Sequence, residues 1–157
     1  MLERGWSVFA TDAQQEAIDR LRRRVGEAPN LRTQRASMEE VELPPADLVW
    51  ASFSLFFCDP ARFPDVWRNI EGALSAGGLF TGELLGDRDT WATDPDFGWF
   101  SPDHGFTWFS RAEAEALFDG WTVERFEEEE NDGEATSGPK HWHVFHVIAR
   151  KPDTGRA

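Results

Sequence analysis

Basic residues are scarce in this sequence: 16 lysines and arginines stand against 29 aspartates and glutamates, for a formal net charge of −13. A chain this acidic is repelled by phosphate backbones and anionic lipid, which argues against nucleic-acid and membrane-surface partners. Cysteine is nearly absent as well. The lone Cys58 rules out an internal disulfide and suits a reducing compartment. No apolar run approaches the roughly 18 residues that a membrane-spanning helix needs. The first residues, MLERGWS, lack the basic-then-apolar order of a signal peptide. These absences together lead to the expectation of a soluble, cytoplasmic chain. No GxGxxG occurs anywhere, which counts against a nicotinamide-dependent oxidoreductase. No HExxH or CxxC occurs either. His141 and His143 lie two apart and point the same way in a strand, but no third ligand follows at a convincing spacing, so no metal site is expected.

Apolar material is plentiful. Hydrophobic residues make up 40% and aromatics 13%, with 8 Trp and 13 Phe against no Tyr. A length of 157 residues then suggests one α/β domain over 1–152, with 153–157 as a flexible tail. Ser7–Thr11 is a strand candidate, and Ala17, Ile18, Leu21 and Val25 form an apolar stripe at helical period behind an N-cap position at Asp12. Leu31–Ala36 is a second strand candidate. The near-continuous apolar run Leu48–Phe57 predicts a strand buried on both faces. Phe63, Val66, Trp67, Ile70 and Leu74 share one face of a helix that Gly77-Gly78 ends, and Leu79–Leu85 is the next strand. An irregular stretch from Gly86 to Phe109 carries Trp91, Phe97, Trp99, Phe100, Phe106 and Trp108, as a lid or pocket wall does. Ser110 and Glu113 make a capping box for a short helix. Two strands, Trp121–Glu128 and Trp142–Ala149, close the chain as an antiparallel hairpin, with the acidic residues from Glu127 to Glu134 forming its solvated tip.

Strands separated by helices imply a mostly parallel, twisted sheet. This order resembles the class I S-adenosylmethionine-dependent methyltransferases of small-molecule type. "GWSVFATD" resembles the family's second strand, "ADLVWASFSLFF" its fourth, and "IEGALSAGGLFTGELLG" the helix, turn and fifth strand. Ser75-Ala76 stands where the family usually has arginine or lysine followed by proline. "GPKHWHVFHVIARKP" resembles the closing strand of a bacterial subgroup. The family's sheet runs 3-2-1-4-5-7-6. Its first strand and glycine-rich turn find no match here, and Met1–Arg4 resembles the end of the helix that follows that turn. A gap of about 9–10 Å at the missing strand cannot stay open with unpaired backbone groups. Three arrangements answer this: a shortened form of a longer protein, direct pairing of the second and fourth strands into six strands, or a homodimer that lends an edge.

The resemblance implies S-adenosylmethionine as cofactor and a small-molecule acceptor. Asp12, with Ala13, would hold the ribose; Ser37 and Met38 would flank the adenine; Ser52 and Phe53 would sit near the methionine end. Phe57, Glu83, Asp87, Arg88, Trp91, Lys140, His141 and His143 are the candidates for shaping the acceptor site. Methyl transfer needs chiefly the alignment of nucleophile, carbon and sulfur, so no catalytic base is assigned. The rival expectation is a methyltransferase-like module that has lost its cofactor and binds a partner or dimerises.

Overall fold

The computed structural model describes residues 1–94, 105–135 and 138–153. The chain divides into two compact units, residues 1–44 and 45–157. Residues 154–157 of the expected tail lie outside the described residues.

In the first unit, a 3-10 turn at Leu2–Arg4 leads into β1 (Val8–Asp12), α1 (Gln15–Val25) and β2 (Leu31–Arg35). The two strands pair in parallel, Val8 opposite Leu31 through Asp12 opposite Arg35. Asn30 fixes the entry to β1: its side-chain amide donates to the carbonyls of Trp6 (2.7 Å) and Leu2 (3.2 Å), and its carbonyl accepts from Val8 N–H. Along α1 the predicted stripe turns Ile18 inward. Gly26 ends the helix at φ 72°, a left-handed angle that glycine adopts without steric cost. Ile18 and Val41 are the buried apolar residues of this unit; the main core lies in the second.

That second unit comprises β3 (Ala46–Ala51), a 3-10 turn at Leu55–Phe57, α2 (Phe63–Ala73), β4 (Leu74–Leu85), a single turn α3 (Thr90–Thr93), α4 (Arg111–Ala116) and the hairpin β5 (Thr122–Ala135) and β6 (Gly138–Arg150). Its sheet runs β3-β4-β6-β5, with β3 and β4 parallel and the rest antiparallel. The two sheets are thus the 3-2 and 4-5-7-6 parts of the family's order, and β1 does not pair with β3. Direct pairing into a six-stranded sheet is not what forms.

The predicted face of α2 is buried: Phe63, Val66, Trp67 and Ile70 lie inward. Trp67 meets Phe80 edge-on at 5.1 Å and Phe118 at 5.3 Å. Lys151 caps the helix, its Nζ donating to the carbonyls of Glu71 (2.6 Å) and Leu74 (2.8 Å). The capping box at Ser110 forms as expected, with Ser110 and Glu113 each bonding the other's backbone N–H.

Three elements depart from expectation. The helix α2 ends at Ala73, before the Gly77-Gly78 stop, and Leu74 opens β4 instead of closing the helix face. The apolar run Leu48–Phe57 is not one strand: β3 stops at Ala51, Phe53 turns to φ 45°, and Leu55–Phe57 winds into the 3-10 turn. A run of apolar residues carries no period, so nothing local marks that stop. The acidic stretch is not a solvated tip either. Both strands of the hairpin extend until Ala135 pairs with Gly138. Alternation along β5 separates the charges: Glu128, Glu130 and Asp132 share one face, Glu127 and Glu129 the other. Each set then meets its own partners, Arg88, Arg111, His141 and His143 on one face and Arg125 and His146 on the other.

Candidate functional site

Four of the candidate residues lie in the first unit. Asp12 is the exposed last residue of β1, and its Oδ1 accepts from Gln14 N–H at 2.7 Å. The N-cap of α1 is therefore Gln14, two residues beyond Asp12, and the Asp12 carboxylate makes an Asx turn ahead of the helix. One of about four lone-pair sites is used in this way. The carboxyl ends of β1 and β2 are tied together here. Ala36 N–H donates to Asp12 O (3.1 Å), Thr11 Oγ1 to Ala36 O (3.2 Å), and Arg35 Nε to Ala13 O (3.2 Å). Ser37 opens the turn that follows β2, its carbonyl accepting from Val41 N–H at 3.0 Å, and Met38 is half-buried within it.

The remaining candidates lie in the second unit, in two groups. Ser52 and Phe53 are exposed just after β3. Phe53 is the only non-glycine at positive φ among the described residues, and its N–H donates to Glu83 Oε2 at 2.9 Å. That bond helps hold a backbone angle that costs about 1 kcal/mol or more in a non-glycine residue. Glu83 thus positions Phe53. Its other oxygen lies 3.6 Å from His146 Nδ1, and His146 Nε2 is 2.9 Å from Glu129 Oε2. The Phe53 ring meets Phe56, Trp142 and His146 edge-on at 6.1–6.4 Å. It thereby forms one wall of an open cavity of about 280 Å³, together with Trp142, Val144, Glu129, Glu134 and His146. His146 and Glu129 were not among the sequence candidates. Their shared signal is the ladder register, which no local pattern reveals.

The third group, Asp87, Arg88, Trp91, Lys140, His141 and His143, joins into one polar network over the first half of β6. This half has no β4 partner, since the β4 ladder reaches only from Arg150 to Val144. Residues 86–90 cover the open edge. Gly86 N–H donates to His143 O (2.7 Å), Asp89 Oδ2 accepts from His143 N–H (3.0 Å), and Thr90 Oγ1 accepts from His141 N–H (2.9 Å). Lys140 and Asp89 form an ion pair whose side chains are wholly buried. The Lys140 ammonium also lies 3.6 Å from the Trp142 ring centroid and 4.4 Å from that of Trp91. Burial pushes the Lys140 pKa down, against the opposing pull of Asp89.

His143 is buried too, and its proton can be placed. Arg88 N–H donates into Nδ1 at 3.1 Å, so Nε2 carries the hydrogen and donates to Glu128 at 2.9 Å. Arg88 bridges Glu128 and Glu130 at 2.7–3.0 Å, while His141 reaches Asp132 and Glu130. Asp87 Oδ1 is buried without a hydrogen-bond partner, 3.5 Å from His143 Nδ1. Glu128, Glu130 and His143 bring three potential ligand atoms close together, but the Arg88 guanidinium already bonds both carboxylates. Trp91 and Phe57, expected to face an acceptor, belong to an aromatic cluster with Phe56 and Phe106, in which Trp91 stacks on Phe106 at 4.6 Å and 2°. Lys140 and His143 are likewise interior groups. Of the aromatic stretch, residues 95–104 with Phe97, Trp99 and Phe100 lie outside the described residues.

This network makes stability depend on acid. Hydrogen bonds from His143, Arg88 and Arg111 hold the Glu128 carboxyl at a pKa of about 2, and those from Arg88 and His141 do the same for Glu130. A depressed carboxylate pKa contributes stability that is present above the ordinary range and lost as pH falls through the folded value. Denaturation midpoints should therefore drop as pH falls from about 4.5 towards about 2, and less steeply in Arg88→Met. An equal slope in both proteins would mean that Arg88 does not hold these carboxylates.

The parallel-then-antiparallel order β3-β4-β6-β5 and the acidic residue ending β1 are those expected from the resemblance to the methyltransferases. The comparisons agree. Residues 1–78 match the family model described as "Methyltransferase domain". No curated protein matches the chain. Among solved structures, TehB from Haemophilus influenzae is similar with a TM-score of 0.73 over 96% of this chain at 14% identity, and this chain spans 51% of it. The N-methyltransferase NodS from Bradyrhizobium japonicum, in complex with S-adenosyl-L-homocysteine, is similar with a TM-score of 0.66 (16% identity; 92% of this chain, 66% of that one). The same TM-score, 0.66, relates the chain to a 1,6-didemethyltoxoflavin-N1-methyltransferase from Burkholderia thailandensis (19% identity; 97% of this chain, 64% of that one). The chain therefore spans between half and two-thirds of these neighbours, and the likeness is one of fold. The matched segment, just under half of the chain, is thus similar to the methyltransferase-domain family, and the likeness to the solved structures gives the chain a Rossmann-like methyltransferase fold. No helix among the described residues is long and apolar enough to cross a membrane.

Proposed function

We propose that the protein binds S-adenosylmethionine and methylates a small molecule. Asp12 is the observation that carries this reading. It is an exposed carboxylate at the carboxyl end of a parallel strand, where open α/β sheets bind ligands. One oxygen accepts from Gln14 N–H, so most of its acceptor capacity is left for two vicinal ribose hydroxyls. Ala13 adjoins it, and the Ser37-Met38 turn after β2 supplies a backbone edge and a thioether for the adenine. Ser52 and Phe53, at the corner that Glu83 pins, serve the methionine end, and the cavity beside Phe53 receives the acceptor. When bound, the cofactor supplies a methyl group on a sulfonium. The chain's own work is to hold Phe53 at its strained corner and to place the acceptor against it, which is the alignment that methyl transfer chiefly requires.

Titration calorimetry with S-adenosylhomocysteine tests the cofactor assignment. The account expects binding, and a loss in Asp12→Ala of about 1.5–3 kcal/mol, the scale of hydrogen bonds to a charged group. Equal affinity in wild type and variant would remove Asp12 from the site.

A further inference from the structure

The contacts that hold the Phe53 corner lead across three strands to one histidine. Glu83 Oε2 accepts from Phe53 N–H at 2.9 Å, and the other oxygen, Oε1, lies 3.6 Å from His146 Nδ1. On its far side the imidazole meets β5, with Nε2 at 2.9 Å from Glu129 Oε2. A carboxylate only accepts, so Nε2 carries the hydrogen of that bond. The position left to take up a further proton is Nδ1, which faces Glu83. His146 lies opposite Glu83 in the β4 ladder and opposite Glu127 in the β5 ladder, and Glu127 is already paired with Arg125. Among the described residues neither Glu83 nor Glu129 is paired with a lysine or arginine. The Phe53 ring packs edge-on against the same imidazole at 6.4 Å.

The two charge states of His146 act differently on the corner. In the neutral ring, Nδ1 turns a lone pair towards the Glu83 carboxylate, so two acceptors face each other and nothing holds Oε1. In the protonated ring, Nδ1–H points at Oε1, and Glu83 is gripped at both oxygens, by the imidazolium and by Phe53 N–H. The grip matters because Phe53 stands at φ 45°, an angle that persists in a non-glycine residue only where its surroundings impose it. We propose that His146 is a positioning residue for the cofactor's methionine end: a proton on Nδ1 fixes Glu83, Glu83 fixes the Phe53 corner, and the methionine half then binds more tightly. The last step rests on the reading that Ser52 and Phe53 serve that end. The coupling of His146 to Phe53 does not.

The test has two arms on the full chain, both run from about pH 5.5 to about pH 8, where histidine side chains change charge. In the free protein, the Phe53 amide signal should move in step with the His146 ring signals. That movement should vanish in H146Q, and also in E83Q, whose side-chain carbonyl still accepts from Phe53 N–H but offers the imidazolium no charge. In the second arm, S-adenosylhomocysteine should bind about threefold more tightly at the acid end, the scale of a partly exposed ion pair. Adenosine, which carries none of the methionine half, should bind equally at both ends. A merely structural histidine would move both ligands alike. A Phe53 signal indifferent to His146, a titration that survives E83Q, or parallel pH profiles for the two ligands would each overturn the proposal. If S-adenosylhomocysteine binds with a flat profile, the positioning role fails and the methyl-transfer reading stands. If Phe53 follows His146 but S-adenosylhomocysteine binds at neither pH, the coupling stands and the methyl-transfer reading fails.

Discussion

Asp89→Ala should lower the stability of the fold by about 3–5 kcal/mol, the cost of leaving one member of a buried ion pair uncompensated. Asp89 is fully buried, and its carboxylate serves three partners. Oδ1 accepts from the Lys140 ammonium and from Trp91 N–H (2.9 Å), and Oδ2 accepts from His143 N–H (3.0 Å). Removing it strands the ammonium in an interior whose burial already depresses the Lys140 pKa. It also opens the edge of β6 that residues 86–90 cover. The two consequences separate in a double variant. If the stranded charge dominates, D89A/K140M should be more stable than D89A alone, since an apolar chain then replaces the orphaned cation. Urea denaturation measures both. A loss under about 1 kcal/mol in D89A would mean that the ammonium finds water and that the pair is not buried in solution.

A loss of about 3 kcal/mol, the upper part of the range for overpacking, is expected for Gly86→Ala. The added Cβ would lie 2.0 Å from His143 Nδ1 and 2.4 Å from two ring carbons. Gly86 makes no demand on backbone angle, so the clash alone is responsible. His143 has nowhere to go. Its ring is fully buried, bonded to Glu128 at Nε2 and to Arg88 N–H at Nδ1, and Phe145 meets it at 4.9 Å. The combination G86A/H143A should then be no less stable than H143A, because the offended ring is gone. Additive losses would show that alanine at position 86 acts through something other than His143.

The pieces legible in the sequence are those written in local pattern. The stripe of α1, the buried face of α2 and the Ser110 capping box all rest on residues within a turn or two of each other, and all three form. What sequence reading missed depends on partners far along the chain. The acidic cluster from Glu127 onward read as a solvated hairpin tip, yet it lies in a strand, where Arg88, Arg111 and His143 meet Glu128 and Glu130 on one face and His146 meets Glu129 on the other, 15 to 42 residues away. Lys140 read as an acceptor-site candidate, yet it pairs in the interior with Asp89, 51 residues earlier. The end of β3 is set by Glu83, 30 residues on, so nothing within the run Leu48–Phe57 announces it. For the candidate site the same division holds. Asp12 was visible as the acidic end of a strand, whereas the cavity formed by Phe53, Trp142, Glu129 and His146 exists only once the hairpin register is known.

The central claim is that this chain holds S-adenosylmethionine through residues after β1, β2 and β3. Amide chemical-shift mapping of the isotopically labelled protein with S-adenosylhomocysteine addresses it residue by residue. The account predicts saturable shifts at Asp12 and Ala13, Ser37 and Met38, and Ser52 and Phe53. Saturable shifts confined to other segments, or none at all, would contradict it.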